Sequence, residues 1–274
     1  MANRTEADDP GYKAHQVFQD LDRFILFYEE FSELVVGFPT FGTRAIINID
    51  TYLYSSIQGT LESIRLVLEK GRLGDGFALL RKYHDAAVLN IYTNLYLEKN
   101  LNREDTIVQE VTDWLSGNER LPRDNYGGMS EYIEKSEELK PVFSALNKNS
   151  EYREMRKRCN DHTHYNSFDN VLINDNRVYA PKRIELLNSF KNDLENIFIL
   201  HLSYIFYLND HYMRASDYMD ALEVGVSPEP DSQYWVAPFI QEIFSDLIVV
   251  KYPEIAEMIK NKTAMHLTIR DEYE

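Results

Sequence analysis

An all-α protein, a multi-helix bundle built on long helices, follows from three properties of this sequence. Apolar residues recur at intervals of three and four over long stretches, and the alternation expected of strands is nearly absent. The hydrophobic content of 44%, with 13% aromatic residues, is enough to bury a core. A length of 274 residues accommodates one large domain or two modest ones. The expected organisation is a flexible leader over residues 1–10, a helical bundle over 11–226, and C-terminal helices over 227–274. The last are expected to pack on the same bundle and to end in a short tail. No internal repeat is visible at a fixed period.

Each element has its own signal. Val17, Leu21, Ile25, Tyr28, Phe31 and Leu34 share one helical stripe, which predicts a long first helix from about Tyr12 to Val36, ended by the Gly37–Gly42 loop. Ile46, Ile49, Leu53, Ile57, Leu61, Ile64 and Leu68 predict a second helix from Thr43 to Lys70. Gly71 is its stop, and Gly74-Asp75-Gly76 is expected to turn the chain. The third helix, Phe77 to Leu97, is apolar nearly all round and therefore central. Its Arg81 and Asp85 are spaced to pair at i, i+4. Shorter helices are expected over about 103–116 with Asn102 as cap, over about 130–139, and from Pro141. Ser150 is expected to cap a further helix through residues 152–164. A small β-hairpin is expected near 171–179, with Asn174-Asp175-Asn176 at its tip. From Pro181 a very long helical pattern runs through Leu208, bends near Asn209–Arg214 and ends at Gly225. Two helices, about Trp235–Val250 and Pro253–Lys262, follow the loop at Ser227–Gln233. Met265–Ile269 suits a short strand or an extended tail.

The formal charge is −16, from 45 acidic and 29 basic residues. Such a surface repels nucleic acid non-specifically, so broad DNA binding is not expected, although a local cationic site is allowed. A single cysteine excludes a disulfide framework and a cysteine-based zinc site and fits a reducing cytosol. The N-terminal residues contain no apolar segment of signal-peptide type. The most apolar run, Ile197 to Leu208, is broken by His201 and Ser203 and is too short to span a bilayer. A cytoplasmic protein with no membrane partner is the expectation.

Polar chemistry concentrates in one stretch, Tyr152 to Asn166. It holds Arg153, Arg156, Lys157, Arg158, the lone Cys159, Asn160, Asp161, His162 and His164. Glycine-rich phosphate loops, the His-Glu-x-x-His zinc motif and the Gly-x-Ser-x-Gly elbow are absent. Asp161, His162 and His164, with His84, do not make a metal set, because ligands at i, i+1 and i+3 point in three directions around a helix. No metal and no cofactor are therefore expected. His201 and His211, on the apolar long helix, read as core or boundary histidines.

The segment Arg158-Cys159-Asn160-Asp161-His162-Thr163-His164 resembles the signature of the HEPN superfamily, helical domains found in toxin, abortive-infection and antiphage ribonucleases. That signature is an arginine, usually followed by Asn, Asp or His, with a histidine a few residues on. The third helix, around Leu80-Arg81-Lys82-Tyr83-His84-Asp85-Ala86, is similar to a helix of abortive-infection-like relatives. The resemblance covers about residues 43–225. Cys159 departs from the pattern, because it stands where the family prefers a polar residue. What the resemblance implies is metal-independent RNA cleavage by attack of the 2′-hydroxyl on its own phosphate, in a homodimer that brings two copies of the motif together. Arg158 would stabilise the phosphate and His164 would act as acid and base. Asn160 and Asp161 would orient them, and His162 is the alternative base. The chemistry is sound, since histidine titrates near neutrality and arginine's planar fork matches a phosphate. RNA at a local site, a second copy of the chain and a protein partner are the expected partners.

Geometry leaves the operative pair open. Residues six apart on an unbroken helix lie about 9 Å along the axis and about 120° around it, whereas Arg158 and His162 at i, i+4 are neighbours. A different reading gives the same residues no catalytic part. Histidine and arginine in a last turn favour the helix dipole, and Asn160, Asp161, Thr163 and Asn166 terminate the helix. The chain is then a non-catalytic bundle that binds a protein or ligand in a defence or regulatory complex.

Overall fold

Helices dominate, as the apolar spacing predicts, and the fold class is all-α. The computed structural model describes residues 7–101, 106–148, 151–174 and 183–269, with the backbone of 4–5 and 180–181. Helices α1 (Pro10–Lys13) and α2 (Val17–Val36) are followed by α3 (Thr43–Ile46), α4 (Ile49–Glu69) and α5 (Leu73–Asn100). Four shorter helices come next, α6 (Gln109–Leu115), α7 (Tyr126–Glu134), α8 (Lys140–Leu146) and α9 (Glu151–Thr163). After α10 (Phe168–Leu172) comes the long α11 (Arg183–Leu208), a 3-10 turn at Asp210–Met213 and α12 (Asp217–Glu223). A 3-10 turn at Ser232–Tyr234 precedes α13 (Pro238–Ile243). A π-helical turn at Phe244–Ile248 joins α13 to α14 (Val249–Lys251), and α15 (Pro253–Lys262) closes the series. Among the described residues no helix is long and apolar enough to cross a membrane.

Several boundaries differ from those the spacing predicts, each for a local reason. The first helix is two, because the Val17 N–H donates to His15 Nδ1 at 3.2 Å and starts α2 afresh. The second is also two. Ile47 is extended, and Asn48 Oδ1 accepts from the Thr51 N–H at 3.2 Å, capping α4. Gly74-Asp75-Gly76 is not a turn but the first turn of α5. Asn174 Oδ1 accepts from the Asp75 N–H at 3.0 Å, and Asn174 Nδ2 donates to Asp75 Oδ1 at 2.9 Å, so a distant side chain caps the helix. A Cβ at Gly76 would lie 2.8 Å from Leu68 Cδ2, so glycine here permits close packing rather than a turn.

Arg4–Thr5 pairs antiparallel with Ala180–Pro181, Ala7 is buried, and Asp9 caps α1 through the N–H groups of Gly11 and Tyr12. The hairpin near 171–179 is not formed as expected, because Val171 and Leu172 complete α10; residues 175–179 lie outside the described residues. The capping assignments to Asn102 and Ser150 also fall outside them.

The chain divides into two compact units that do not follow chain order. The first unit comprises residues 1–29, 54–87 and 149–198. Its core is aromatic. Phe24 stacks on Phe198 with ring centroids 3.9 Å apart, Phe27 and Tyr28 meet Phe198 edge-on, and the Tyr28 and Tyr83 hydroxyls lie 2.9 Å apart. The second unit comprises residues 30–53, 88–148 and 199–274. There Phe31 meets Phe206 and Tyr212 edge-on, and Ile240, Ile243, Phe244, Ile255 and Ile259 are buried.

Candidate active site

The cation-rich stretch forms α9, in the first unit. Tyr152, Met155, Cys159 and His162 are buried, at spacings of three and four, and make its inward stripe. Arg153, Glu154 and Lys157 face outward. The Tyr152 hydroxyl donates to the Asn196 carbonyl at 3.0 Å and anchors the helix start.

The cations flanking the stripe are neutralised by carboxylates of the same unit. Arg158 Nε donates to Asp193 Oδ2 at 2.9 Å and Nη2 donates to Oδ1 at 2.5 Å, a fork-to-fork pair. The Asp193 carboxylate is 1% exposed while the Arg158 side chain keeps 39%, so the arginine stays partly open to solvent. Burial pushes the Asp193 carboxyl above its usual range, with Arg158 acting the other way. Arg156 Nη1 donates to Asp85 Oδ1 at 2.5 Å and to His84 Nδ1 at 3.2 Å. Asp85 therefore takes its close partner from α9, while Arg81, the partner its spacing suggests, stands at 3.8 Å. His84 is buried, and burial, then Arg156, lowers its pKa to about 3.

The two histidines separate sharply. His162 is buried and stacks on Phe77, with centroids 4.2 Å apart and planes within 6°. Its Nδ1 has no hydrogen-bond partner, and burial lowers its pKa despite the neighbouring Asp161. His164 is exposed, one residue beyond the end of α9. The helix stops there by a Schellman arrangement. The Asn166 N–H donates to the Asp161 carbonyl at 3.0 Å and the Tyr165 N–H to that of His162 at 3.4 Å, with Tyr165 left-handed at φ 48°.

The other expected site residues serve this terminus. Asp161 Oδ1 accepts from Asn166 Nδ2 at 2.8 Å, its carbonyl accepts from Asn170 Nδ2 at 2.9 Å, and Asn160 Oδ1 is buried without a partner. Cys159 is 1% exposed, and burial pushes its thiol up to about 12, so it is no nucleophile. Among the described residues neither histidine hydrogen-bonds Arg158, and no group of three His, Cys, Asp or Glu side chains is placed to hold a metal ion.

The sequence reading passed over Asp193 and Phe77. Asp193 carried little signal, because it lies in the polar segment Lys191–Asn196 of α11, where a carboxylate is expected to face solvent. Phe77 carried none. The chain matches no family model, no curated protein and no solved structure.

Proposed function

We propose that this chain is a HEPN-like, metal-independent endoribonuclease of the toxin or defence type, acting as a cytoplasmic homodimer. One observation carries the reading. An exposed histidine, His164, stands just past the end of a helix whose Arg158 side chain is partly open to solvent, in the arginine-then-histidine order of the HEPN-like signature. His164 is the base of choice and His162 is not, because a buried, stacked imidazole cannot reach a substrate hydroxyl. In the first half of the reaction His164 takes the proton of the RNA 2′-hydroxyl, and the 2′-oxygen attacks phosphorus. The bond to the 5′-oxygen breaks, and the equivalent histidine of a second copy returns a proton to that oxygen. The products are a cyclic phosphate and a 5′-hydroxyl end. Arg158 stabilises the charge gathered on the phosphate oxygens. The net charge of −16 disfavours non-specific RNA, so contacts near α9 must supply the selection.

The test is RNA cleavage in EDTA by the wild type beside His164→Ala, His162→Gln and Arg158→Ala. His164→Ala is the informative variant because its side chain is exposed, whereas Arg158→Ala strands the buried Asp193. EDTA-resistant cleavage that His164→Ala abolishes supports the reading. Cleavage no greater than that of His164→Ala overturns it.

A second reading, a non-catalytic bundle that binds a protein or ligand, is favoured by the internal neutralisation of Arg156 and Arg158. An inactive wild type in the same assay selects it.

A further inference from the structure

The second unit contains a cavity of about 260 Å³, at the small end of ligand-binding pockets. Its apolar wall comes from Phe38 and Phe41, in the loop after α2, and from Leu97 and Leu101 at the end of α5. Phe38 is 7% exposed and stacks on Tyr212, with ring planes 5° apart, so this wall is packed against the core. Phe41 is 63% exposed and forms the lip. The loop is held by Gly42, at φ +60°, where a Cβ would lie 2.1 Å from the Thr106 carbonyl oxygen.

The polar groups of the cavity are not balanced. Among the described lining residues Arg44 is the one arginine or lysine, and its guanidinium is turned into the floor. Nη1 donates to Asp50 Oδ2 at 2.7 Å and to the Tyr212 hydroxyl at 2.8 Å, and Nη2 donates to Asn94 Oδ1 at 2.7 Å. Asp50 is satisfied in turn by the Tyr212 hydroxyl and by Asn90 and Asn94. That network closes on itself and cancels the charge of Arg44. What remains at the cavity is acceptor capacity. Glu98 has no ion pair or hydrogen bond among the described residues. Its carboxyl is raised above the usual range by burial and then by Glu138, more than Lys262, Arg44 and Lys99 lower it. Lys262 is itself committed to Glu138 at 2.9 Å and to the Tyr207 carbonyl at 2.6 Å. Asn209 spends its Nδ2 on Asn94 at 2.9 Å, which leaves its Oδ1 to accept, and His211 adds a ring held neutral by burial.

From the unpartnered Glu98, the Asn209 oxygen and the aromatic wall we infer a binding site for a small organic ammonium ion with an apolar or aryl body. Aromatic faces and an unpaired carboxylate both favour a cation, and a cavity this small admits only a compact one. An anion would meet Glu98 and the negative ring faces, with no uncommitted cation among the described lining residues to receive it. This site is independent of the ribonuclease reading, and a chain that cleaves no RNA still tests it.

The experiment is calorimetric titration of the full chain with benzylammonium, benzyl alcohol and benzoate, three probes of one shape and different charge. Benzylammonium is expected to bind saturably in the millimolar range or tighter, with the other two weaker by about tenfold or more. Glu98→Gln and Phe41→Ala, both at exposed side chains, should each weaken benzylammonium by about tenfold, and Tyr52→Ala, outside the cavity, should change nothing. Equal binding of the three probes, unchanged binding by Glu98→Gln, or no saturable binding at all overturns the proposal.

Discussion

Cys159 and His162 owe their character to a helical phase. Both sit on the inward stripe of α9, three residues apart, while Arg158 and Asn160 flank it. Position on that stripe decides their chemistry more than residue type does. A cysteine beside two arginines would ordinarily be an activated thiol, yet burial outweighs Arg158 and Arg156 and pushes it up to about 12. Iodoacetamide at pH 8 should therefore leave native Cys159 unmodified and label it fully in denaturant. Native labelling at the rate of a free thiol would show that the α9 stripe is open. The same phase buries His162, while His164, past the end of the helix, is exposed. The helix itself was legible in the sequence, but the polar residues around Cys159 and His162 hid which face turns inward. What that face packs on, Phe77, was not legible, because the contact joins residues 85 positions apart.

The elements end where capping geometry allows, and α9 shows the cost of an imperfect cap. Tyr165 adopts φ 48°, a left-handed conformation that disfavours side chains with a Cβ, and it is half exposed. Replacing it by glycine relieves that strain and loses little packing. Tyr165→Gly is expected to raise the unfolding free energy by about 0.5–1 kcal/mol in urea titration, with part of the gain offset by the extra freedom glycine gives the unfolded chain. A loss of stability would mean that the Tyr165 ring packs more than its exposure indicates. Caps also explain the missed boundaries. Asn48 and His15 start α4 and α2 within stretches whose apolar spacing is continuous, so periodicity reads through the breaks. Asn174 caps α5 from 99 residues away, which no local pattern reveals.

Across the whole molecule, buried neutral histidines set the response to acid. His84 in the first unit and His201 in the second are both buried, and burial lowers each pKa from 6.5 to about 3. In that interval the unfolded chain binds a proton at each position and the folded chain does not. Stability is therefore complete above about pH 6.5 and falls as the pH drops. Each histidine should cost about 1 kcal/mol between pH 7 and 5.5, read from urea unfolding at the two values. His201 Nε2 bonds Asn90 Oδ1 at 2.9 Å, so His201→Gln should lower stability at pH 7 yet flatten the pH dependence by that amount. An unchanged slope would mean that His201 is not the group responsible.

By itself the sequence determined the all-α class, the long helices, and the stretch that holds the arginines and histidines. These follow from periodicity and composition, which are local properties. Only the tertiary structure decided that Arg158 is paired with Asp193, that His162 is core and His164 is not, and that Arg44 is turned into its own network. Each of these depends on which side chain a distant segment brings alongside. That choice is made by packing, where burying an unpaired charge costs more than any local preference returns.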